Sequence, residues 1–481
     1  MKNIRILLLS ALALTANISA SAYNFSATYN GTTIYYNITN SANKTVSVTY
    51  KDTEYNCYSG KVTIPSSVTN NSITYSVTGI YKLAFNKCSN LTSISLPESI
   101  TSMGESVFNE CTSLTSVTLP KNIKSIPNWT FGKCTALTNV SIPSSVTSIG
   151  DNAFNGCTSL VSITIPSSVT SIGSRAFYGC TKLSKISIPS GVTKINQETF
   201  KNCYSLKEVS LPSTITSIES MAFYGCTALT SITIPNSVTS IETQAFCGCS
   251  SLTSFKIPNG VEVISESIFQ NCTSLTSVSI PESVTTIKNN AFYGCSNLTG
   301  IVIPSGVTNI EDAVFYKCTS LTSVSIPEGV TSIGQYAFSY CEKLTSITLP
   351  SNVTSVKRNA FAFCTQLAEI NIESPTPFAF GTDAFKSISS ECVLIVPVGT
   401  VDDYEVMGWT TSIFKGGIQE GIRIRGDING DGSVNVSDVT YLVDIVLGNG
   451  NTADYQDLNN DKKVDVSDIT ALVNIILGNE E

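Results

Sequence analysis

The sequence predicts a β-rich solenoid of stacked short repeats, followed by a small all-α module with two calcium-binding loop-helix motifs. Three observations predict it. A column of cysteines recurs every 23 residues from Cys88 to Cys364. A strand-like Leu-x-x-Ile-x-Ile stretch follows each cysteine, and a proline closes the stretch in the first twelve units. Near the C-terminus, two loops rich in Asp and Asn stand thirty residues apart, each running into an apolar stretch with helical spacing.

The repeat carries most of the chain. A phenylalanine stands three residues before each of the thirteen column cysteines, from Phe85 to Phe361, and a proline nine residues after the first twelve, from Pro97 to Pro350. A fixed period between about 20 and 50 residues marks a stacked array. Within one unit, Cys157-Thr-Ser-Leu-Val-Ser-Ile-Thr-Ile-Pro166 alternates as a half-buried strand does. Proline ends the strand because it has no N–H for the ladder. The following Val-Thr-Ser-Ile reads as a second short extended piece, and the Ala-Phe segment as one short helical turn. No unit can bury its Leu, Ile and Phe alone, but stacked units share one continuous core.

Equivalent side chains of an in-register stack point the same way, whereas a disulfide needs converging Cβ vectors. The column is therefore expected to hold buried free thiols; a disulfide ladder, suited to an exported chain, is the alternative. The solvent face of the main strand, five and seven residues after each cysteine, is a carpet of Ser and Thr, with Lys185, Glu208 and Lys256 as departures. Protein-binding hot spots favour Trp, Tyr and Arg. This face is expected to be solvated, with weak multivalent adhesion to a protein or glycan as the competing reading.

The ends of the array need caps. Residues 23–60 read as an N-terminal β cap, with a hairpin signal at Tyr29-Asn30-Gly31-Thr32 and a strand at Val46–Tyr50. Residues 61–392 form the solenoid, although its first unit is irregular: Pro65 lies 32 residues before Pro97, nine more than the period. Pro375 and Pro377 then interrupt the pattern. Residues 393–420 read as the C-terminal cap and the start of a linker, with Trp409 as a core plug. At the other end, Lys2 and Arg5, the apolar run Ile6–Leu14 and Ala20-Ser21-Ala22 read as a signal peptide over 1–22, cleaved before Tyr23. The protein is thus expected to be secreted, extracellular or cell-surface associated, and no other stretch is long and apolar enough to span a bilayer.

Composition narrows the chemistry. The chain of 481 residues has no histidine, which excludes Ser-His-Asp triads, Cys-His pairs and His-ligated zinc. The net charge of −8 is local: residues 427–481 hold eleven acids against Lys462 and Lys463. That sign is opposite to what nucleic-acid binding requires.

Residues 427–438 place Asp427, Asn429, Asp431, Ser433, Asn435 and Asp438 at loop positions 1, 3, 5, 7, 9 and 12, with Gly432 at position 6. This spacing wraps oxygens around Ca²⁺. The second copy offers Asp457, Asn459, Asp461, the backbone carbonyl of Lys463, Asp465 and Asp468. Here Lys462 occupies position 6, where the turn favours glycine, so the second of the two sites is expected to bind Ca²⁺ more weakly. Val439, Leu442, Val443 and Val446, and likewise Ile469, Leu472, Val473 and Ile476, are spaced for one apolar helix face. Gly448 and Gly478 sit where those helices end. Without metal, repelling acids and a small core leave the module largely unfolded, so Ca²⁺ is expected to drive its folding.

These motifs support two resemblances. The 23-residue unit resembles the BspA-like family of leucine-rich repeats over roughly residues 57–392. The family implies a leucine-rich-repeat solenoid on a secreted or surface protein, often one of adhesion. Two loop-helix halves without entering helices resemble the type I dockerin family over residues 426 to about 479. That resemblance implies a small all-α dockerin whose partner is a cohesin domain of a scaffolding protein. Recognition would fall on loop positions 10 and 11 and the following helix: Val436, Ser437, Leu442 and Val443, with Val466, Ser467, Leu472 and Val473. Near-identity of the halves would permit two binding orientations.

The combination predicts a secreted, non-catalytic binding or adhesion protein, tethered through a calcium-dependent dockerin to a cohesin-bearing scaffold or cell surface. An accessory or catalytic component of a polysaccharide-degrading complex is the alternative. Glycosidases need two carboxylates about 5–10 Å apart in a cleft, and the repeats place acids irregularly on an open surface. A third reading makes the C-terminal module a means of self-association.

Overall fold

The computed structural model describes residues 22–421, 426–429, 434–450, 452–453, 456–459 and 461–478. The leader and the expected ligands Asp431 and Ser433 lie outside these residues.

Each repeat is one coil with three faces, and each face bonds to the next coil. On the first, residues 139–141 pair in parallel with 116–118, Val140 opposite Val117. Both side chains turn into the core, while their exposed neighbours carry the Ser and Thr carpet. On the second, Ser148–Ile149 pairs with Ser125–Ile126 before it and Ser171–Ile172 after it.

The third face corrects an expectation: the Ala-Phe segment is a run of turns, not a helical turn. Residues five before and one before each cysteine are left-handed, as at Arg175 (φ 57°) and Lys133 (φ 57°). Alternate N–H groups therefore point along the stack. Asn152, Phe154 and Gly156 donate to the carbonyls of Ser174, Ala176 and Tyr178 in the next coil, at 2.8–2.9 Å. The residue before the cysteine is glycine in five units, where left-handed backbone carries no Cβ penalty. Threonine hydroxyls add to the same scheme: Thr170 Oγ1 donates to the Thr147 carbonyl one period back, at 3.2 Å.

The core is a set of columns. Phenylalanine rings stack from Phe85 to Phe385 with centroids 5.2–6.1 Å apart. The widest step, between Phe246 and Phe269, is where Phe255 inserts edge-on between them. Beside this column run the cysteines. All sixteen cysteines of the chain are free thiols. From Cys111 onward each column Sγ donates to the carbonyl of the phenylalanine in the preceding unit, at 3.0–3.3 Å. A side chain here must be small and apolar and still donate one hydrogen bond, which a thiol does.

The N-terminal end is closed by a sheet. Strands β1 (Phe25–Tyr29), β2 (Thr32–Asn40) and β3 (Thr45–Thr49) run antiparallel. The β1–β2 turn has Asn30 and Gly31 at φ 47° and 78°, the left-handed pair a two-residue hairpin requires. Next come β4 (Gly60–Thr63), β5 (Ser67–Asn70), β6 (Ile73–Ile80), β7 (Leu91–Ser95) and β8 (Ser102–Met103). β4 pairs with β7 and β6 with β8, as in any two successive coils. The nine extra residues after Pro65 are thus accounted for. They form the β5–β6 hairpin, and β6 joins β3, fusing the cap sheet to the first coil.

At the C-terminal end the main ladder outlasts the cysteine pattern. Residues 369–372, 393–396 and 417–420 continue it in parallel. Helix α1 (Val401–Val406) turns the chain back. Trp409 is fully buried, packs against Phe378, Phe380, Phe385 and Phe414, and donates its indole N–H to the Phe378 carbonyl at 2.7 Å.

The C-terminal module has its own core. Helices α2 (Val436–Val446) and α3 (Val466–Leu477) enclose Leu442, Ile445 and Leu472 together with Ile428 and Leu458. Ile428 and Leu458 occupy position 2 of each loop, so the loops themselves supply part of the core.

Candidate functional site

The two loops of the C-terminal module are built alike. Each helix begins with a capping box: Asn435 with Asp438 in α2, Asp465 with Asp468 in α3. Such boxes satisfy N–H groups that the first helical turn leaves unpaired. The acid at position 12 also closes the loop behind it. Asp438 Oδ1 accepts from the N–H of Ile428 and Asn429 at 2.8 and 3.1 Å, and its Oδ2 from Asn435 at 2.9 Å. Asp468 repeats this with Leu458, Asn459 and Asp465 at 2.8, 3.2 and 2.9 Å. Both acids are fully buried.

In the second loop, Asp457 accepts the N–H groups of Asp461 and Lys462 at 3.0 and 2.7 Å. Lys462 stands at φ 71°, the left-handed conformation its position demands. The N–H and hydroxyl of Ser467 hold the Asp465 carboxyl below its usual range. Gly448 and Gly478 are left-handed just past the helix ends, at φ 87° and 68°.

These residues suit a hard cation in their chemistry. The described donors, Asp427, Asn429, Asn435 and Asp438, then Asp457, Asn459, Asp461, Lys463, Asp465 and Asp468, offer carboxylate, amide or carbonyl oxygen and no sulfur or imidazole, the set calcium takes. Among the described residues, no three His, Cys, Asp or Glu groups gather into a metal-sized cluster. The side-chain oxygens of Asn435, Asp438, Asp457, Asn459, Asp461, Asp465 and Asp468 accept backbone N–H groups of the same loops.

The residues expected to meet a partner divide. Val436 and Val466 are 71% and 67% exposed, and Ser437 and Ser467 are exposed beside them. Val443 is half-buried and Val473 exposed. Leu442 and Leu472 are a correction: both are fully buried in the module's own core, because their helical phase points each at the other helix. Leu447 and Leu477, 70% and 64% exposed at the helix ends, were not anticipated.

On the solenoid, Lys185 and Glu208 face each other across adjacent strands. With Lys207, Ser162 and Thr164 they line an open groove of about 710 Å³. Lys256 lies on a strand apart from it.

A second surface escaped the sequence reading. Tyr293 and Tyr316 stack at 4.9 Å, Tyr316 meets the edges of Tyr336 and Tyr340 at 6.0 and 5.6 Å, and Tyr340 stacks on Phe363 at 4.5 Å. The Lys317 ammonium lies 5.3 and 5.8 Å from the Tyr316 and Tyr340 rings. All five rings are half-buried along the turn face of successive coils. The missed signal was a pair of columns, two residues before and one residue before the cysteine, joined by Tyr336 five residues before Cys341.

No helix among the described residues is long and apolar enough to cross a membrane. The pattern of the BspA type Leucine rich repeat region matches residues 55–184, 170–299 and 263–392, in six copies. No curated protein matches the chain. Among solved structures, a leucine-rich repeat protein from Bacteroides ovatus is similar, at 31% identity and a TM-score of 0.71, covering 79% of this chain and 96% of its own. A leucine rich cell surface protein from Faecalibacterium prausnitzii is 34% identical, covers 72% of this chain and 94% of its own, and has a TM-score of 0.47. The T. pallidum Leucine Rich Repeat protein is 27% identical over 46% of this chain and 87% of its own, with a TM-score of 0.36. The matched pattern describes a repeat region and no enzymatic domain. With that pattern running from residue 55 to 392, more than half of the chain, and the Bacteroides ovatus protein similar over 79% of it, the chain belongs to the BspA type leucine-rich repeat family.

Proposed function

We propose that this is a secreted, non-catalytic binding protein of adhesion type, displayed on a solenoid and tethered by a calcium-dependent dockerin to a cohesin-bearing scaffold or cell surface. The observation that carries the tether is the repeated loop and boxed helix. Asp438 and Asp468 bind the same three backbone positions thirty residues apart, and each pair of position-10 and position-11 residues, Val436-Ser437 and Val466-Ser467, is presented on the surface. Two equivalent ends of one small module suit a partner that accepts either orientation.

The display surface is the aromatic ridge around Tyr316 and Tyr340. Its rings stack on one another or meet edge to face, with the Lys317 ammonium beside Tyr316 and Tyr340. Sugar stacking needs open ring faces, whereas aromatic edges with a cation suit a protein contact. The Ser and Thr carpet contributes neutral polar surface around it.

Two measurements test the reading. The full chain should be captured by an immobilised cohesin-bearing scaffold protein in calcium and released by chelator, with the helical circular dichroism of the module lost in parallel. A spectrum and capture indifferent to chelator would refute the tether. Tyr316→Ala with Tyr340→Ala should abolish adhesion to the native surface partner while scaffold capture persists; unchanged adhesion would exclude the ridge.

A further inference from the structure

We propose that a groove on the strand face of the solenoid binds an acidic oligosaccharide, at a site separate from the aromatic ridge. The groove encloses about 710 Å³ and crosses four successive coils, from Ser162 to Thr233. Between residues 91 and 372 every coil gives the main face a strand except two. Residues 162–164 share only the bridge between Ser162 and Lys185 with the ladder. Residues 231–233 pair with neither neighbour. These two coils are the two ends of the groove. Between them, residues 185–187 and 208–210 pair in register, Lys185 opposite Glu208 and Ser187 opposite Ser210.

A coil that has let go of its neighbour leaves backbone N–H and C=O groups for water or a ligand to take. Among the described residues, none of the backbone groups of 231–233 bonds to an adjacent coil. Hydroxyls stand beside these groups, Ser162 and Thr164 at one end of the groove and Ser231 and Thr233 at the other, all exposed. Each end thus offers both donors and acceptors, which a sugar hydroxyl, itself both, can use. At ~4.8 Å per coil the groove is about 14 Å long, room for a short oligosaccharide.

The charge sits in the middle. Lys185, Lys207 and Glu208 are exposed on the two central coils, and among the described residues none of them joins an ion pair. Elsewhere the outward columns of this face, five and seven residues after each cysteine, are neutral except at Lys256 and Glu369. Two free ammoniums hold a carboxylate by charge-assisted hydrogen bonds, and the Glu208 carboxylate accepts from the hydroxyls of the same sugar. No aromatic ring lines the groove. A neutral sugar, with nothing to stack on, would exchange its bonds to water for similar ones at little gain. The acid on the sugar therefore supplies the affinity. A protein ligand would be anchored by aromatic or Arg side chains in desolvated pockets. The floor here is Ile163, Ile186, Val209 and Ile232, packed as part of the solenoid core, and it provides no such pocket.

The test is calorimetry on the full chain with trigalacturonic acid as probe. The acid should bind, and its neutral methyl ester should bind at least about tenfold more weakly. Lys185→Ala with Lys207→Ala should lose a similar factor while keeping the wild-type thermal midpoint, since both side chains are exposed. Glu208→Ala should also weaken binding; in a merely basic patch, removing this acid would tighten it. Lys317→Ala, on the ridge, should leave this binding unchanged, so failure of the groove and failure of the ridge are told apart. Hexaglutamate should bind more weakly than trigalacturonic acid. No binding of trigalacturonic acid, equal affinity for its methyl ester, a double lysine variant that binds as the wild type does, tighter binding by Glu208→Ala, or a preference for hexaglutamate would overturn the proposal.

Discussion

Lys462 stands at φ 71° in a loop where its counterpart is Gly432, and a left-handed non-glycine residue costs about 1–2 kcal/mol. Lys462→Gly should therefore tighten the proposed second calcium site by about 1 kcal/mol, roughly fivefold, since glycine returns part of the gain as chain entropy. Calorimetry of Ca²⁺ binding to wild type and variant would decide it. Equal affinities of the two wild-type loops would remove the premise. The position was legible because loop numbering alone identifies the residue that must turn. Other residues were less so. That column thiols stay apart follows from parallel stacking, but their bond to a phenylalanine carbonyl needs two coils in view. Leu442 and Leu472 were assigned to a partner because they lie in the recognition segment; their phase toward the facing helix became visible only once both helices were placed.

At the scale of elements, the nine-residue excess after Pro65 marked an irregular coil, yet its use as the β5–β6 hairpin depends on pairing with β3, thirty residues upstream. The Ala-Phe segment was misread for a related reason. Its conformation is set by N–H groups that bond the next coil, and a single unit shows only its apolar residues. The C-terminal plug was legible from the lone Trp409 beyond the last repeat. Trp409→Ala removes a fully buried indole and its 2.7 Å hydrogen bond, and should cost about 3–5 kcal/mol. In a solenoid each unit contacts only its neighbours, so the loss stays local. Hydrogen exchange should show protection falling from residue 420 back toward the last few coils, while coils near Cys111 keep theirs. Uniform loss along the array would mean that the stack unfolds as one unit.

The whole molecule repeats one buried ionisable group thirteen times, and that repetition gives it a pH dependence no single coil would show. Burial pushes the column thiols up, Cys203 and Cys364 to about 12 and the others in the same direction. An ordinary thiol titrates near about 8.5. Below that value neither folded nor unfolded chain ionises these groups, and their contribution to stability is whole. Above it the unfolded chain sheds protons that the folded chain retains, so stability falls as pH rises toward the folded values. Each thiol costs up to about 1.4 kcal/mol per pH unit in that window. Even a few acting together exceed the usual total stability of a domain, about 5–15 kcal/mol. The coils should therefore unfold between about pH 9 and about pH 11, with thiolate absorbance rising together with the loss of β circular dichroism. Replacing Cys157, Cys180 and Cys203 by alanine should lower stability at neutral pH and flatten its decline with pH, because three titrating groups are gone while their cavities cost the same at every pH. A denaturation midpoint that holds level across that range, or thiolate appearing at the ordinary value while the fold persists, would show that the column is open to solvent.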